Sequence, residues 1–429
     1  MTDSLIVVLE DAVAGTLTRL PNARLRFEYD DTYRRRPGAT PLSLSMPTQV
    51  KVHSDQVVTP WLWGLLPDND AVLARWARQF NVSAASPFAL LGTGVGEDCA
   101  GAVRFCAPGE AERLLGRPGA VAWLNDAEVA TRLRDLKADS TSWLGRSFSG
   151  QFSLAGAQAK TALRYQNGRW GEPSGAAATT HILKPAVVGL DDHDLNEHIC
   201  LDAARRVGLV VARTRIMAFG DETAVVVDRY DRLATDAGVV RVHQEDLCQA
   251  LSVHPARKYQ NEGGPGPIDI IRLFRDALPP RDAADATTRF ADALIWNWLI
   301  AGTDAHAKNY SLLLAGDQIR LAPLYDIASA LPYGQHEKKL RMAMKIGGEY
   351  AVFPMRDPWP KAGAELGMDA GALAARVRDL AGAAADAFAD AAASDDVRAL
   401  ERKGPAKLVD LIAARAARCG ELIALTGRG

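Results

Sequence analysis

The sequence predicts an α+β protein with two lobes and a cleft between them. Segments that alternate apolar and polar residues, or that are rich in β-branched residues, occur mainly before residue 245 and indicate strands. From Asp246 onward the spacing of apolar residues is mainly helical. A strand-rich first part followed by a helix-rich second part is typical of this fold class.

Composition and charge narrow the class of protein. The 429 residues suggest about two to three packed units, and an apolar content of 48% excludes disorder for most of the chain. Fifty basic and 52 acidic residues give a formal charge of -2. This balance argues against a protein that holds nucleic acid by a strongly basic face of its own.

Cysteine usage and the N-terminal residues bear on the compartment. Five scattered cysteines without a C-x-x-C pair are typical of reduced thiols in a reducing compartment. The N-terminus lacks the basic stretch and apolar run of a signal peptide, and no apolar run approaches the roughly 20 residues of a membrane helix. We therefore expect a cytoplasmic protein without membrane association.

Three segments are predicted along the chain, over residues 1–110, 111–245 and 246–429. The first is a small α+β subdomain with strands over residues 5–9, 23–29, 41–47 and 101–105, a helix that opens at Thr59 and another over residues 70–80. The second has a helix-rich connector to about residue 149, strands over residues 151–154, 161–165, 180–184, 215–219 and 224–228, and a helix over residues 196–207. The third is mainly helical, with a strand over residues 310–314 and an alanine-rich packing helix over residues 382–393.

The first candidate for chemistry is the segment Ser153-Leu154-Ala155-Gly156-Ala157-Gln158-Ala159-Lys160, between two predicted strands. Its small residues would let main-chain amides approach an anionic ligand closely. A plain turn between two strands explains the same residues. The segment alone leaves both interpretations open.

The second candidate is Lys184, which ends a predicted strand and precedes Pro185, a residue that stops the ladder. A lysine here could project into a cleft and pair with phosphate oxygens, with Glu197 on the next helix orienting it through an ion pair. An exposed lysine at a strand end and an exposed helix carboxylate explain these residues equally well.

The third candidate is more specific. Asp304 is followed five residues later by Asn309 in a polar loop after an apolar helix, which is the D-x-x-x-x-N spacing of a kinase catalytic loop. Asp326 follows in an apolar setting at a strand end, where a second metal-binding carboxylate would stand. Carboxylate and amide oxygens suit Mg²⁺ and not zinc.

Two other interpretations compete for these residues. Asp304 and His306 would serve as ligands of a hydrolase metal, but such a site requires further His or Cys partners, and the other histidines show no matching pair. A helix cap and two surface carboxylates would require the D-x-x-x-x-N loop and the later aspartate to occur together by two separate accidents. The spacing therefore favours phosphoryl transfer.

Taken together, these motifs resemble HipA-type serine/threonine kinases, the toxins of bacterial type II toxin–antitoxin pairs. The resemblance covers nearly the whole chain and rests on residues 41–47, 64–68, 88–91, 98–102, 153–160, 181–184, 196–197, 228–232, 243–250, 258–266, 303–309 and 325–327. It implies a protein-kinase-like fold. Residues 1–110 would form the HipA N-terminal subdomain, residues 111–245 the kinase N-lobe with the phosphate loop, and residues 246–429 the helical C-lobe with the catalytic loop.

The resemblance also implies roles for individual residues. Asp304 would be the catalytic base, Asn309 and Asp326 the ligands of Mg²⁺, and Ser153 the autophosphorylation position. The implied contacts of ATP are with the phosphate-covering loop, the phosphate-binding lysine, the hinge against the adenine and the catalytic segment: Ala155, Gly156, Ala157, Gln158, Ala159, Lys160, Lys184, Asp228, Arg229, Tyr230, His306, Ala307, Lys308, Asn309, Tyr325 and Asp326. Asp228 stands where the best-known member has the longer Glu. A phosphate on Ser153 would add roughly two negative charges beside the loop, eject it and disable ATP binding.

The partners implied by the resemblance are an antitoxin and a protein substrate. Family members usually bind a small helix-turn-helix antitoxin, here a HipB-like protein, and the complex represses its own operon, so we expect operator DNA to be gripped mainly through the antitoxin. The family's known substrates are aminoacyl-tRNA synthetases and other translation proteins, whose phosphorylation stops growth. Two alternatives stay open: a corepressor with a vestigial kinase site, against which the intact carboxylates argue, and a kinase for a small metabolite.

Overall fold

The protein, a computed structural model, is described over residues 3–116, 119–145, 152–236, 238–334 and 337–426, without the side chains of residues 424–426. The chain divides into two compact units. The first comprises Met1–Pro185, Ala218–Ala256 and Ser311–Ala322, and the second comprises Ala186–Met217, Arg257–Tyr310 and Pro323–Gly429. The three segment boundaries expected from the sequence stay a prediction.

Strands and helices are numbered here in chain order. The strands are β1 Ser4–Leu9, β2 Ala12–Arg19, β3 Leu25–Tyr29, β4 Val52–His53, β5 Val103–Cys106, β6 Ala120–Leu124, β7 Thr161–Gln166, β8 Arg169–Ser174, β9 His181–Pro185, β10 Thr214–Phe219, β11 Glu222–Asp228, β12 Arg232–Thr235, β13 Gly238–Arg241, β14 His243–Asp246, β15 Ser311–Ala315, β16 Gln318–Leu321, β17 Arg341–Ile346 and β18 Glu349–Ala351. The α-helices are α1 Asp31–Arg34, α2 Asp55–Gly64, α3 Asp70–Phe80, α4 Pro87–Leu91, α5 Ala111–Gly116, α6 Asp126–Ala138, α7 His193–Arg206, α8 Leu247–Ala250, α9 Pro267–Ala277, α10 Pro280–Leu299, α11 Trp359–Leu366, α12 Ala370–Ala392, α13 Asp395–Arg398 and α14 Gly404–Thr426.

The first unit is built on antiparallel sheets. One sheet has the strand order β4-β3-β2-β1-β5. In a second sheet the strands β11, β9, β7, β8 and β6 are neighbours in that order. A three-stranded sheet β14-β15-β16 and the hairpin β12-β13 complete the unit. The second sheet presents Lys184 on a central strand.

A large apolar core joins the first sheet to the helices and loops of the first unit. Phe27 of the first sheet, Trp61 of α2 and Trp76 of α3 lie in it, and the same core continues to Trp143 and Phe152. Alternation along the strands produces it, because residues two apart in a strand share a face. The segment that precedes the predicted phosphate loop is therefore packed against the N-terminal sheet and its helices.

The second unit fixes the C-terminal end of α10, from which the catalytic loop departs. Trp296 stacks on Phe388 of α12 at 5.8 Å between ring centroids, and Trp298 meets Trp359 of α11 edge-on at 5.5 Å. The fully buried Arg415 of α14 donates to the carbonyl oxygens of Trp298 and Leu299 at 2.6 and 3.0 Å. These two carbonyls belong to the last turn of α10, where the regular helical hydrogen-bond pattern ends.

Several predicted elements differ in the structure. Residues 41–47 form no strand: Ser43 and Met46 make an isolated bridge around a tight turn, which the buried Glu245 carboxylate closes by accepting from Ser43 Oγ at 2.5 Å and Leu44 N at 2.8 Å. Helix α2 begins at Asp55 rather than at Thr59, because the Asp55 carboxylate binds the Thr59 hydroxyl within the first turn.

The strand expected over residues 151–154 is also absent from the part that is described. Its first residue, Gln151, lies outside the described residues, and Ser153 makes only an isolated bridge with Cys99. Strands β2, β6 and β8 were not predicted, and β8 contains Gly171 and Pro173, which are depleted in strands. Within the described residues, no helix is long and apolar enough to cross a membrane.

Candidate functional site

The loop after α10 brings Asp304 and Asn309 together. Asn309 Nδ2 donates to the main-chain carbonyl of Asp304 at 2.8 Å, and the main-chain N–H of His306 donates to the same carbonyl at 2.8 Å. The Asp304 carboxylate projects out of this closed turn, with 68% of the side chain exposed. The spacing D-x-x-x-x-N thus places an amide under the aspartate while its carboxylate faces solvent.

Tyr259 is the principal partner of the Asp304 carboxylate. Its hydroxyl donates to Asp304 Oδ1 at 2.5 Å, and its ring meets the His306 ring edge-on at 4.9 Å. His306 is buried, with Nε2 3.9 Å from Asp304 Oδ1. No role for Tyr259 was predicted from the sequence. The only signal for it was its position in the segment 258–266, one of those that carry the family resemblance.

The segment that carries Tyr325 and Asp326 is fixed from two sides. The Tyr325 hydroxyl donates to the carbonyl of the buried Lys308 at 2.7 Å, and Leu324 exchanges main-chain hydrogen bonds with residues 210–212. Asp326 itself has a left-handed backbone, with φ of 57°. Non-glycine residues in this region are strained, and such residues cluster at functional sites.

The donor set of this loop fits Mg²⁺. Because the amide nitrogen of Asn309 is used by the Asp304 carbonyl, its oxygen Oδ1 remains as an acceptor, and Asp326 supplies a carboxylate. Mg²⁺ is commonly bound by one or two such oxygen ligands together with substrate phosphates and water. Among the described residues there is no group of three or more His, Cys, Asp and Glu side chains placed to hold a metal.

The predicted phosphate loop in the first unit is a turn closed by its own lysine. Lys160 Nζ donates to the Ala155 carbonyl at 2.6 Å and lies 4.8 Å above the Trp143 ring. Gly156 has φ of 101°, a backbone conformation that L side chains rarely adopt, so the turn favours glycine at this position. The side-chain nitrogen of Gln158 is buried without a hydrogen-bond partner among the described residues.

Ser153, the predicted autophosphorylation position, is fully buried beside this turn. Its hydroxyl donates to the Leu65 carbonyl at 2.8 Å, and its main-chain N–H donates to the Asp98 carbonyl at 3.0 Å. The hydroxyl is therefore inaccessible to a phosphoryl donor in this conformation. Phosphorylation of Ser153 therefore requires the main chain around it to move away from Leu65 and Asp98.

Lys184 and the predicted hinge lie on neighbouring strands of the first unit. Lys184 is buried on β9, opposite Val225 of β11. At the end of β11, Asp228 lies opposite His181, whose Nε2 is 3.1 Å from Asp228 Oδ1. The predicted pairing of Lys184 with Glu197 of α7, a buried residue of the second unit, stays a prediction.

Arg229 has other partners than the expected adenine. We use "ionic cluster" for five buried or nearly buried residues of the first unit: Asp98, Asp231, Arg229, Arg232 and Arg241. The Arg229 guanidinium binds both aspartates, and its main-chain N–H donates to the Thr180 carbonyl at 2.9 Å. A nucleotide contact from the Arg229 guanidinium would require its bonds to open, and the hinge role implied for Arg229 stays a prediction. The neighbouring Tyr230 is half-buried, with its hydroxyl bonded to Gln244.

Sequence comparisons identify two conserved domain models in the chain. Residues 5–106 match the HipA N-terminal domain, and residues 152–388 match the HipA-like C-terminal domain. The second model alone covers more than half of the chain.

Whole-chain relatives agree with these models. The chain is 34% identical over 380 residues to the protein named "Putative kinase Y4mE" of Sinorhizobium fredii, an alignment that covers 88% of this chain and 89% of that one. It is 31% identical over 320 residues to the serine/threonine-protein kinase toxin HipA of Shewanella oneidensis, covering 71% and 70%.

The fold agrees as well. A chain in the solved complex of HipA, HipB and operator DNA from Shewanella oneidensis matches with a TM-score of 0.83 over 98% of both chains, at 24% identity. This likeness confirms the predicted HipA-like α+β fold. From the two domain models and the relatives it follows that the chain belongs to the HipA family of kinase toxins.

Proposed function

We propose that this protein is an ATP- and Mg²⁺-dependent serine/threonine protein kinase that acts as a growth-arresting toxin. The observation that carries the proposal is the closed turn between Asp304 and Asn309, in which the amide nitrogen is consumed internally and the carboxylate faces solvent. A phosphotransferase needs both features, because its base must reach the attacking hydroxyl and an amide oxygen must be available to bind a cation.

In the proposed reaction, Asp304 accepts the proton of the substrate's serine or threonine hydroxyl. The hydroxyl oxygen bonds to the γ-phosphorus of ATP, and the bond to the β-phosphate oxygen breaks to release ADP. Mg²⁺, which Asn309 and Asp326 would hold, neutralises charge on the phosphate oxygens when it is bound. The turn of residues 155–160 and Lys184 would bind the phosphates, and Asp228 and Tyr230 the adenine.

Autophosphorylation at Ser153 would inactivate the enzyme. The Ser153 hydroxyl is buried and bonded to the Leu65 carbonyl, so the unmodified segment is stabilised where it sits. A phosphate carries about −1.5 to −2 charges, and the Leu65 carbonyl oxygen would repel it. Phosphorylated Ser153 could therefore not occupy the buried position of the unmodified side chain. The modification would therefore keep the adjacent turn of residues 155–160 from its ATP-binding position.

The biological setting is proposed from the relatives. The solved Shewanella oneidensis complex contains HipA, HipB and operator DNA. We infer that this chain likewise assembles with a HipB-like helix-turn-helix antitoxin. That antitoxin would make most of the contacts with the operator. The formal charge of -2 agrees with that arrangement. We infer a cytoplasmic protein whose substrate is an aminoacyl-tRNA synthetase or another translation protein.

Transfer of the γ-phosphate from labelled ATP tests the enzymatic proposal. Purified protein with Mg²⁺ should label itself, chiefly at Ser153 by peptide mass spectrometry, and Asp304→Asn should reduce the rate by about 10² to 10⁴. Asp386→Asn, which changes an exposed carboxylate on α12 in the same unit, should label as the unaltered protein does. Equal labelling by Asp304→Asn would remove Asp304 as the base.

Further binding and transfer measurements test the two alternatives, a corepressor with a vestigial kinase site and a kinase for a small metabolite. A corepressor with a vestigial site would bind operator DNA together with the antitoxin but would give no calorimetric signal with ATP. A metabolite kinase would transfer phosphate to members of a sugar panel and to no protein. Labelling of protein together with ATP binding would reject both.

A further inference from the structure

The first unit contains a cavity of about 650 Å³ whose lining includes three arginines. Arg104 reaches it from β5, Arg164 from β7 and Arg241 from β13. None of the lining residues belongs to the predicted nucleotide site. The cavity therefore requires an explanation of its own.

Arg104 lines this cavity and is almost fully buried. The residue is 2% exposed, and one terminal nitrogen donates to the Glu10 carbonyl at 3.1 Å. Its Nε is buried, and no described residue accepts from it. A buried guanidinium whose donors are incompletely paired is costly, so an anion that balances its charge would be favoured in the cavity.

The other two arginines add positive charge beside Arg104. Arg241 donates to the Asp98 carboxylate and the Ala176 carbonyl, both at 3.1 Å, and Arg164 donates to Gln166 Oε1 at 3.0 Å. Burial lowers the pKa of Arg104 and of Arg164, and the positive charge of Arg241 lowers both further. The Arg241 guanidinium is thus close enough to repel each of the other two.

The carboxylates around the cavity do not balance this charge. Asp98 is shared among Arg241 and the two other arginines of the ionic cluster, whose two aspartates face three guanidinium groups. Glu10 and Asp11 also line the cavity: the Glu10 carboxylate accepts from the Thr40 hydroxyl, and the Asp11 side chain is 99% exposed and 3.8 Å from Arg104. Burial lowers the pKa of His243, which also lines the cavity, to about 4, so it adds no positive charge at neutral pH.

We propose that this cavity binds a small phosphorylated organic molecule. Guanidinium groups match the oxygens of a phosphate group in geometry and charge. Another part of the wall is apolar, with Leu115, Val121, Val240 and Leu314. A volume of this size is typical of pockets for small-molecule ligands, which combine an apolar wall with a few convergent polar groups.

Calorimetric titration of the full chain with inorganic phosphate and with phenyl phosphate, at constant ionic strength, tests the site. Phenyl phosphate should bind more tightly than inorganic phosphate, because its ring can contact the apolar wall. Arg164→Gln should weaken both by at least about tenfold, since a charge-assisted hydrogen bond is lost. Arg164 is half-exposed, so this variant is expected to fold, and it is preferred to a substitution of the deeply buried Arg104.

One control variant locates the binding. Arg169→Gln changes an exposed arginine on the same β7–β8 hairpin that does not line the cavity, and should leave both affinities unchanged. An unaffected Arg164→Gln, an Arg169→Gln that weakens binding as much as Arg164→Gln does, or phenyl phosphate binding no tighter than inorganic phosphate would each overturn the proposal.

Discussion

The ionic cluster and the catalytic loop use aspartate in opposite ways. Asp98 has a side chain that is 5% exposed and is surrounded by Arg229, Arg232 and Arg241. Asp304 has a side chain that is 68% exposed, and Tyr259 donates to it. Buried charge must be paired fully, since each unpaired ion costs several kcal/mol, so Asp98 serves the architecture. A carboxylate that is to accept a proton from a substrate must remain reachable, as Asp304 does.

Removing the buried aspartate should have the largest effect on stability. Asp98→Ala leaves three buried guanidinium groups with one carboxylate fewer, and we expect a loss of about 3–5 kcal/mol in the free energy of unfolding. Urea denaturation measures it. Asp304→Ala is the matched control in the exposed loop and should change stability by less than about 1 kcal/mol. Equal losses for the two variants would contradict the distinction between them.

The buried Asp98 carboxyl should also make the stability of the protein depend on pH. Burial alone would raise the pKa of the Asp98 carboxyl, but the charges of Arg232, Arg241 and Arg229 outweigh burial and hold the pKa well below its usual range. A carboxyl whose pKa is lowered by folding contributes stability that is present above its unfolded pKa, near 4, and is lost as the pH falls below it.

Glu245 is a buried carboxyl without an arginine, and its pH dependence should have the opposite sign. Burial raises its pKa to about 8, although Leu44 N and Ser43 Oγ donate to it. The folded protein therefore keeps the proton, while the unfolded chain releases it near pH 4.5, so stability is lost as the pH rises from about 5 to 8.

The test uses Glu245→Gln, which cannot ionise. Relative to this variant, the unaltered protein should lose about 2–4 kcal/mol of unfolding free energy between pH 5 and pH 8. Taking the difference between the two proteins cancels other titrating groups such as His243. A difference that stays flat with pH would show that Glu245 is ionised in the folded state.

In the catalytic loop, Tyr259→Phe should change activity and not stability. The variant removes the only described hydrogen bond from Tyr259 to the Asp304 carboxylate, while the ring keeps its contact with His306. We expect kcat to fall about tenfold and KM for ATP to stay unchanged, because the hydrogen bond orients the base and lies outside the expected nucleotide contacts. An increase in KM alone would assign Tyr259 to nucleotide binding.

The smallest effect is expected for an exposed ion pair. Arg376 binds Asp292 through two contacts at 2.7 and 2.9 Å, but more than a third of the Arg376 side chain is exposed. Arg376→Gln should cost less than about 1 kcal/mol by urea denaturation. A larger loss of unfolding free energy would show that an exposed ion pair with two contacts can stabilise the fold as strongly as the buried pairs of Asp98.

Local patterns predicted much of the fold. Helix α3 shows why: Asn69 caps its N-terminus, Asn81 ends it in a left-handed conformation, and Trp76 lies on its apolar face, all within one segment of sequence. Strand β2 was missed since its Gly15 weakens a strand pattern. A Cβ atom there would lie 2.2 Å from the Glu28 carbonyl oxygen of the neighbouring strand, which is a tertiary fact.

Some contacts of the functional site could be predicted from the sequence and others could not. The proximity of Asp304 and Asn309 could be predicted from their spacing, because a loop of five residues can bring its two ends together. Tyr259 is 45 residues from Asp304, and Arg229 is 131 residues from Asp98, so neither contact leaves a periodic signal. The family resemblance implied that Arg229 belongs to the hinge against the adenine, which stays a prediction, and no pattern in the sequence indicated that its guanidinium binds the buried Asp98 and Asp231.

A crystal structure with Mg²⁺ and a non-hydrolysable ATP analogue tests the central claim most directly. We predict a Mg²⁺ ion about 2.0–2.1 Å from Asn309 Oδ1 and from an Asp326 carboxylate oxygen, with the Asp304 carboxylate facing the γ-phosphate and not ligating the metal. An ion bound elsewhere, or a nucleotide that leaves Asn309 and Asp326 without contact, would contradict it.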